Sequence, residues 1–231
     1  MIEFVCSPEL FGKIPEPTRA GKAMPDWFRS LPREMGMRDA HGLPGLTAKA
    51  CLPMTDIFSL GYILPLPVDL QIEGEGYGAP LQIGWAQDIG FNPVEAHHPG
   101  QIGAPNPPFG AAQPQKFVNP WRLIVPKGYS VLFTHPFNHF ELPFLCFNAM
   151  VDCDQFETTV NIPFLWTGAP GRHVLPAGTP IAQVIPIKRE TLLKDYQARA
   201  ATTEEVTHRV QADQLKYGEI STYARDWRVK K

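Results

Sequence analysis

What this chain has little of narrows the choices first. Charged residues make up only 19% of it and nearly cancel, leaving a formal net charge of −2. Nucleic-acid recognition needs a basic face, so no nucleic-acid partner is expected. The basic residues that do gather, at Arg225, Arg228, Lys230 and Lys231, read as a solvated tail. Cysteine is scarce: Cys6, Cys51, Cys146 and Cys153, with no Cys-x-x-Cys pair. Glu3 interrupts the start and no apolar run follows it. No signal peptide is therefore read, and the four thiols are expected to be reduced, in a cytoplasmic protein. No apolar run approaches the roughly 18 residues of a membrane span, so no membrane partner is expected. Internal repeats and low-complexity tracts are also missing.

Proline, in contrast, is plentiful, at 25 of 231 residues, and it is spread along the whole chain. Proline lacks an amide donor and is excluded from central ladders and helix interiors, so its spread implies many short strands and fixed turns. Apolar runs cut by Pro-Gly turns crowd residues 116–189, as in Val125-Pro126-Lys127-Gly128-Tyr129 and Pro176-Ala177-Gly178-Thr179-Pro180. With 44% hydrophobic residues the chain can build a real core. The fold predicted is all-β, a sandwich or β-clip-like barrel of short strands with a C-terminal helix. Residues 1–188 would form the β domain, including an irregular N-terminal segment, and residues 189–231 a helical appendage.

Local signals fill in this plan. Residues 2–5 suit a first strand, and Met24 to Leu31 a short helical turn that buries Trp27 and Phe28, with Pro25 where a missing amide costs least. Residues 36–46 read as a Gly-rich loop. Residues 57–72 read as two strand segments bent at Pro65 and Pro67, followed by a hairpin turn at Glu73 to Gly78. That turn is not read as a phosphate loop, because no helix follows it. Residues 90–115 form the longest irregular segment, and its length suggests an ordered loop or lid over a site. Beyond Lys188, Leu192, Leu193 and Tyr196 suit a short helix. Thr202 with Glu205 forms a capping box, opening an amphipathic helix through Val206, Val210 and Leu215.

Three clusters are candidates for chemistry. In His135-Pro136-Phe137-Asn138-His139-Phe140-Glu141, a strand would place His139 and Glu141 on one face. Imidazoles with one carboxylate are the ligand set of a facial-triad non-haem iron site, so His135, His139 and Glu141 are candidate ligands to a divalent transition metal, iron foremost. His173 or His98 would complete the set. In His97-His98-Pro99-Gly100-Gln101, Gln101 is a candidate substrate contact. In Cys51-Leu52-Pro53-Met54-Thr55-Asp56, no local base activates the thiol, so Cys51 reads as a buried structural cysteine and Asp56 as a polar pocket residue for substrate.

Two resemblances add to this. Val151-Asp152-Cys153-Asp154-Gln155-Phe156, followed by Gly178-Thr179-Pro180-Ile181-Ala182-Gln183-Val184, resembles motifs of the deoxyuridine triphosphatase and deoxycytidine triphosphate deaminase superfamily over residues 125–187. The resemblance implies Asp152 as the water-activating carboxylate, Phe156 as the aromatic packed on a deoxyribose, and Gln183 as a motif glutamine. The chain departs from that pattern where His135 to His139 replaces the Arg-Ser-Gly phosphate-binding segment. More broadly, Cys51-x-Pro53-x-x-Asp56, Asn119-Pro120-Trp121, Gly128-Tyr129-Ser130 and Val151-Asp152-x-Asp154 resemble a family of bacterial and phage proteins of unknown function. Two functions follow as expectations. One is an enzyme acting on a small-molecule substrate at a mononuclear metal site, of the non-haem iron oxygenase type. The other is a non-catalytic homo-oligomeric binding or assembly module with a β core like that of the deoxyuridine triphosphatases.

Overall fold

A computed structural model describes residues 1–38, 40, 42–218 and 222–229. The chain divides into two compact units. One comprises residues 1–25 and 57–191, and the other residues 26–56 and 192–231.

The described strands of the first unit pair antiparallel. Its largest sheet runs β13 (Ala149–Val151), β11 (Tyr129–Thr134), β16 (Pro180–Lys188), β5 (Tyr62–Pro65) and β2 (Thr18–Arg19). A second runs β12 (Phe144–Cys146), β14 (Ile162–Trp166), β9 (Gln115–Phe117) and β8 (Val94–Ala96). A third runs β15 (Gly171–Leu175), β6 (Leu70–Gly74) and β7 (Leu81–Gly84), and β1 (Glu3–Val5) pairs with β10 (Arg122–Ile124). None of these sheets closes on itself among the described residues. The architecture is the sandwich-like alternative rather than a closed barrel.

The core explains why the sheets stack. In β6 the side chains alternate strictly between buried and exposed, the pattern of a half-buried strand. Val131, Phe133 and Val184 from the first sheet and Phe117, Phe144, Phe164 and Trp166 from the second belong to one buried cluster. Phe117 stacks on Phe164 with centroids 4.0 Å apart, and Phe144 meets both edge-on at 5.0 and 5.7 Å. Each such ring contributes about 1.5–3 kcal/mol by burial.

The second unit holds α1 (Asp26–Ser30), the hairpin of β3 (Glu34–Arg38) and β4 (Pro44–Leu46), and α3 (Thr203–Gly218). The chain passes between the units within α2 (Leu52–Phe58). Phe28 of α1 is buried, with Lys49 Nζ 4.8 Å above its ring. Residues expected to be loop, 36–38 and 44–46, instead lie in paired strands, Glu34 opposite Leu46 and Arg38 opposite Pro44 across a register shift. The capping box at α3 is formed as the sequence predicts: Glu205 N–H donates to Thr202 Oγ1 at 3.2 Å and Thr202 N–H to Glu205 Oε2 at 2.8 Å. Leu192, Leu193 and Tyr196 do not form a helix. No cap or continuous apolar periodicity starts one there, and Leu193 and Tyr196 are 97% and 94% exposed. Leu215 also lies off the expected stripe. At about 100° per residue it sits roughly 140° around the helix from Val210.

Candidate functional site

The histidine-rich segment lies in a turn. Residues 135–143 connect β11 to β12, so His139 and Glu141 do not share a strand face as expected. Two prolines and Asn138, at φ 58°, interrupt the ladder there. Asn tolerates this left-handed conformation better than most residues. The pair meets all the same: His139, buried, lies with Nδ1 2.8 Å from Glu141 Oε1. The turn is pinned from behind by Gln183, whose Oε1 accepts from Phe137 N–H at 3.0 Å, and His135 N–H donates to Asn148 Oδ1 at 3.0 Å. The His135 ring sits edge-on to Phe144 at 6.0 Å, and its Nδ1 is buried without a hydrogen-bond partner. Burial pushes its pKa below the ordinary histidine value, against an upward pull first from the His139 backbone carbonyl and then from Glu141.

Glu141 opens on a cleft of ≈ 580 Å³ that also holds Phe140, Thr167, His173, Val174 and Thr179. Its floor requires Gly168, since a Cβ there would lie 2.6 Å from the Trp166 indole. His173, on β15, packs edge-on to Trp166 at 5.1 Å, and its Nε2 lies 2.8 Å from Ala169 O. It also borders a ≈ 480 Å³ cleft over Gln71, Glu73, Gln82 and Arg172.

The remaining expected site residues lie elsewhere. His98 is exposed, and its Nδ1 accepts from Gly100 N–H at 3.1 Å, capping a short 3-10 turn at Pro99–Ile102. Gln101 is exposed on that turn. Both belong to the connection of the β8–β9 hairpin and line neither cleft. Asp56 belongs to the second unit, where Arg228 Nη2 donates to its Oδ1 at 2.6 Å. Cys51 is exposed, contrary to the buried reading, because it lies just before α2 rather than inside a packed element. Among the described residues, no group of three or more His, Cys, Asp and Glu side chains is arranged to hold a metal ion. His139 and Glu141 are the pair in direct contact.

Asp152 sits in a cluster that its spacing only partly announces. Ser130 Oγ donates to its Oδ1 at 2.5 Å, and Arg189 Nη1 approaches the same atom at 3.3 Å. Arg189 grips Asp154 with two bonds, Nη1 to Oδ1 at 2.9 Å and Nη2 to Oδ2 at 2.6 Å. Asp154 also accepts from Gly128 N–H at 2.8 Å, and Gly128, at φ 87°, makes the turn into β11. These bonds, the guanidinium first, hold the Asp154 carboxyl well below the usual carboxylate range. Asp152 is 65% exposed beside this clamp. Arg189 and Ser130 were missed because they meet the Asp152–Asp154 segment across three strands. The antiparallel register that places Lys188 opposite Tyr129 brings them together.

No protein-family model matches the chain, and no curated protein matches it.

Proposed function

We infer that this chain is a non-catalytic assembly module, in which the β unit is a rigid scaffold and the C-terminal segment engages a second copy. One observation carries the reading: Leu193 and Tyr196 project almost entirely into solvent just past the clamped end of β16. Val206 and Val210 follow on one face of α3, each 51% exposed. Apolar side chains exposed to this degree in succession gain from burial against another surface. A second copy suits them, because α3 carries Glu204 and Glu205 in its first turn and Lys216 in its last. Two such helices packed antiparallel set acidic starts against basic ends.

Analytical ultracentrifugation of the full chain tests it. The expected result is a species of two or more copies that Leu193→Lys with Tyr196→Lys converts to monomer, with the β circular dichroism unchanged. A wild-type protein that stays monomeric at every accessible concentration overturns the reading. The competing reading is a metal-dependent enzyme centred on His139 and Glu141. It would take first place if elemental analysis found about one transition-metal ion per chain that His139→Ala with Glu141→Ala removes.

A further inference from the structure

We propose that the cleft beside Glu141 is a binding site for a small organic ammonium ion. This site is independent of the assembly reading. Among the described residues lining the cleft, Glu141 supplies the carboxylate, and neither lysine nor arginine contributes. Its carboxylate is held in place: Oε1 is spent on the buried His139 imidazole, and the side chain remains 48% exposed toward the cleft. A cation can therefore take the second oxygen in a charge-assisted hydrogen bond without disturbing the turn.

The walls suit the rest of such a ligand. Phe140, 78% exposed, and Val174, 66% exposed, give the cleft an aromatic and an aliphatic face. An ammonium near an aromatic face gains a cation–π attraction, and an alkyl chain gains from the valine. An anion would find a carboxylate and no opposing positive charge. The cleft is also pre-formed. Thr167 and Gly168 N–H both donate to Pro143 O, at 2.9 and 3.0 Å, tying one wall to the other. Its volume of ≈ 580 Å³ lies within the range of about 300–1,000 Å³ usual for small-molecule sites. His139 here is a positioning residue that fixes the carboxylate.

The test is an amide-shift titration of the full chain with n-hexylammonium chloride, with 1-hexanol as the uncharged control. The expected result is saturable shifts at Glu141, Thr167 and Val174 that weaken with added salt and that hexanol does not reproduce. Glu141→Gln keeps an acceptor for a His139 Nδ1–H and so preserves the turn while removing the charge. It should weaken binding by about tenfold or more, as expected for a hydrogen bond to a charged group. His139→Phe should weaken it less, and Glu75→Gln, away from this cleft, not at all. Equal shifts with hexanol, unchanged binding in Glu141→Gln, or no saturable shift at these amides overturns the proposal.

Discussion

Replacing Gln183 should cost more stability than almost any other polar substitution in the β unit. The residue lies in mid-β16, only 2% exposed, and its amide serves three backbone groups. Oε1 accepts from Phe137 N–H at 3.0 Å, while Nε2 donates to Leu60 O at 2.6 Å and Ile57 O at 3.3 Å. In Gln183→Leu the Phe137 amide and the Leu60 carbonyl lose these partners. Ile57 O keeps a bond from Leu60 N–H at 3.3 Å. Two orphaned groups at about 1–3 kcal/mol each, less the small gain from burying a leucine, give a loss of about 2–4 kcal/mol. Urea unfolding followed by near-ultraviolet circular dichroism measures it directly. Gln82→Leu, on the exposed face of β7, should stay within about 0.5 kcal/mol of wild type.

Gln183→Glu sharpens the same reasoning by adding a sign. A carboxylate there would face two carbonyls in a buried site, so its folded-state pKa must rise above its unfolded value. The folded variant then binds its proton more readily than the unfolded chain. The variant should recover stability relative to wild type as pH falls through the raised folded value and lose it as pH climbs back. Acid also restores a donor for Leu60 O. A Gln183→Glu deficit that is flat with pH, or a Gln183→Leu variant as stable as wild type, would refute the role assigned to this amide.

Much of the fold was legible because it rests on short-range rules. Proline and Pro-Gly spacing announced short strands, and β1, β5, β6, the 73–78 turn and α1 lie where the local pattern places them. The capping box was readable because both partners sit within one helical turn. The pairing of β3 with β4 was not, since glycine marks both flexible loops and tight turns, and only pairing across a register shift distinguishes them. Local composition grouped His139 with Glu141, which do touch, but on a strand rather than in the turn that holds them. A two-residue spacing joins side chains on one strand face, and the αL turn at Asn138 reaches the same contact by another route. What distant parts of the chain bring together was illegible. Arg189 reaches Asp154 through strand register, a relation that leaves no motif, whereas the grouping of His173 with Glu141, anticipated from residue type alone, is matched by a shared cleft lining. His98 and Gln101 lie in the connection of the β8–β9 hairpin and line neither cleft, a placement that only long-range strand pairing reveals.

Two further tests probe the thiols and the clamp. Unfolded protein should titrate four thiols without reductant, and native protein should react first at exposed Cys51. Cys146 and Cys153 are buried, and burial, followed by the Asp152 and Asp154 carboxylates, pushes the Cys153 thiol up to about 11. A native protein whose Cys153 reacts as fast as Cys51 contradicts that packing. For the clamp, the Asp154 side chain is 1% exposed, and its carboxyl is held low first by the Arg189 guanidinium and next by the Gly128 amide. Because the folded value is depressed, the unfolded chain takes up the proton first as the solution is acidified. The clamp's stabilisation is therefore fully present above the unfolded aspartate value of about 3.9 and lost as pH falls from there toward the folded value. Asp154→Asn keeps the side-chain shape and removes the charge that Arg189 binds. Its unfolding free energy should be lower than wild type at neutral pH and should fall less steeply than wild type below about pH 4, so that the two converge in acid. Parallel acid-unfolding curves for the two proteins would mean that the Asp154–Arg189 pair does not hold the end of β16 to the turn that follows β13.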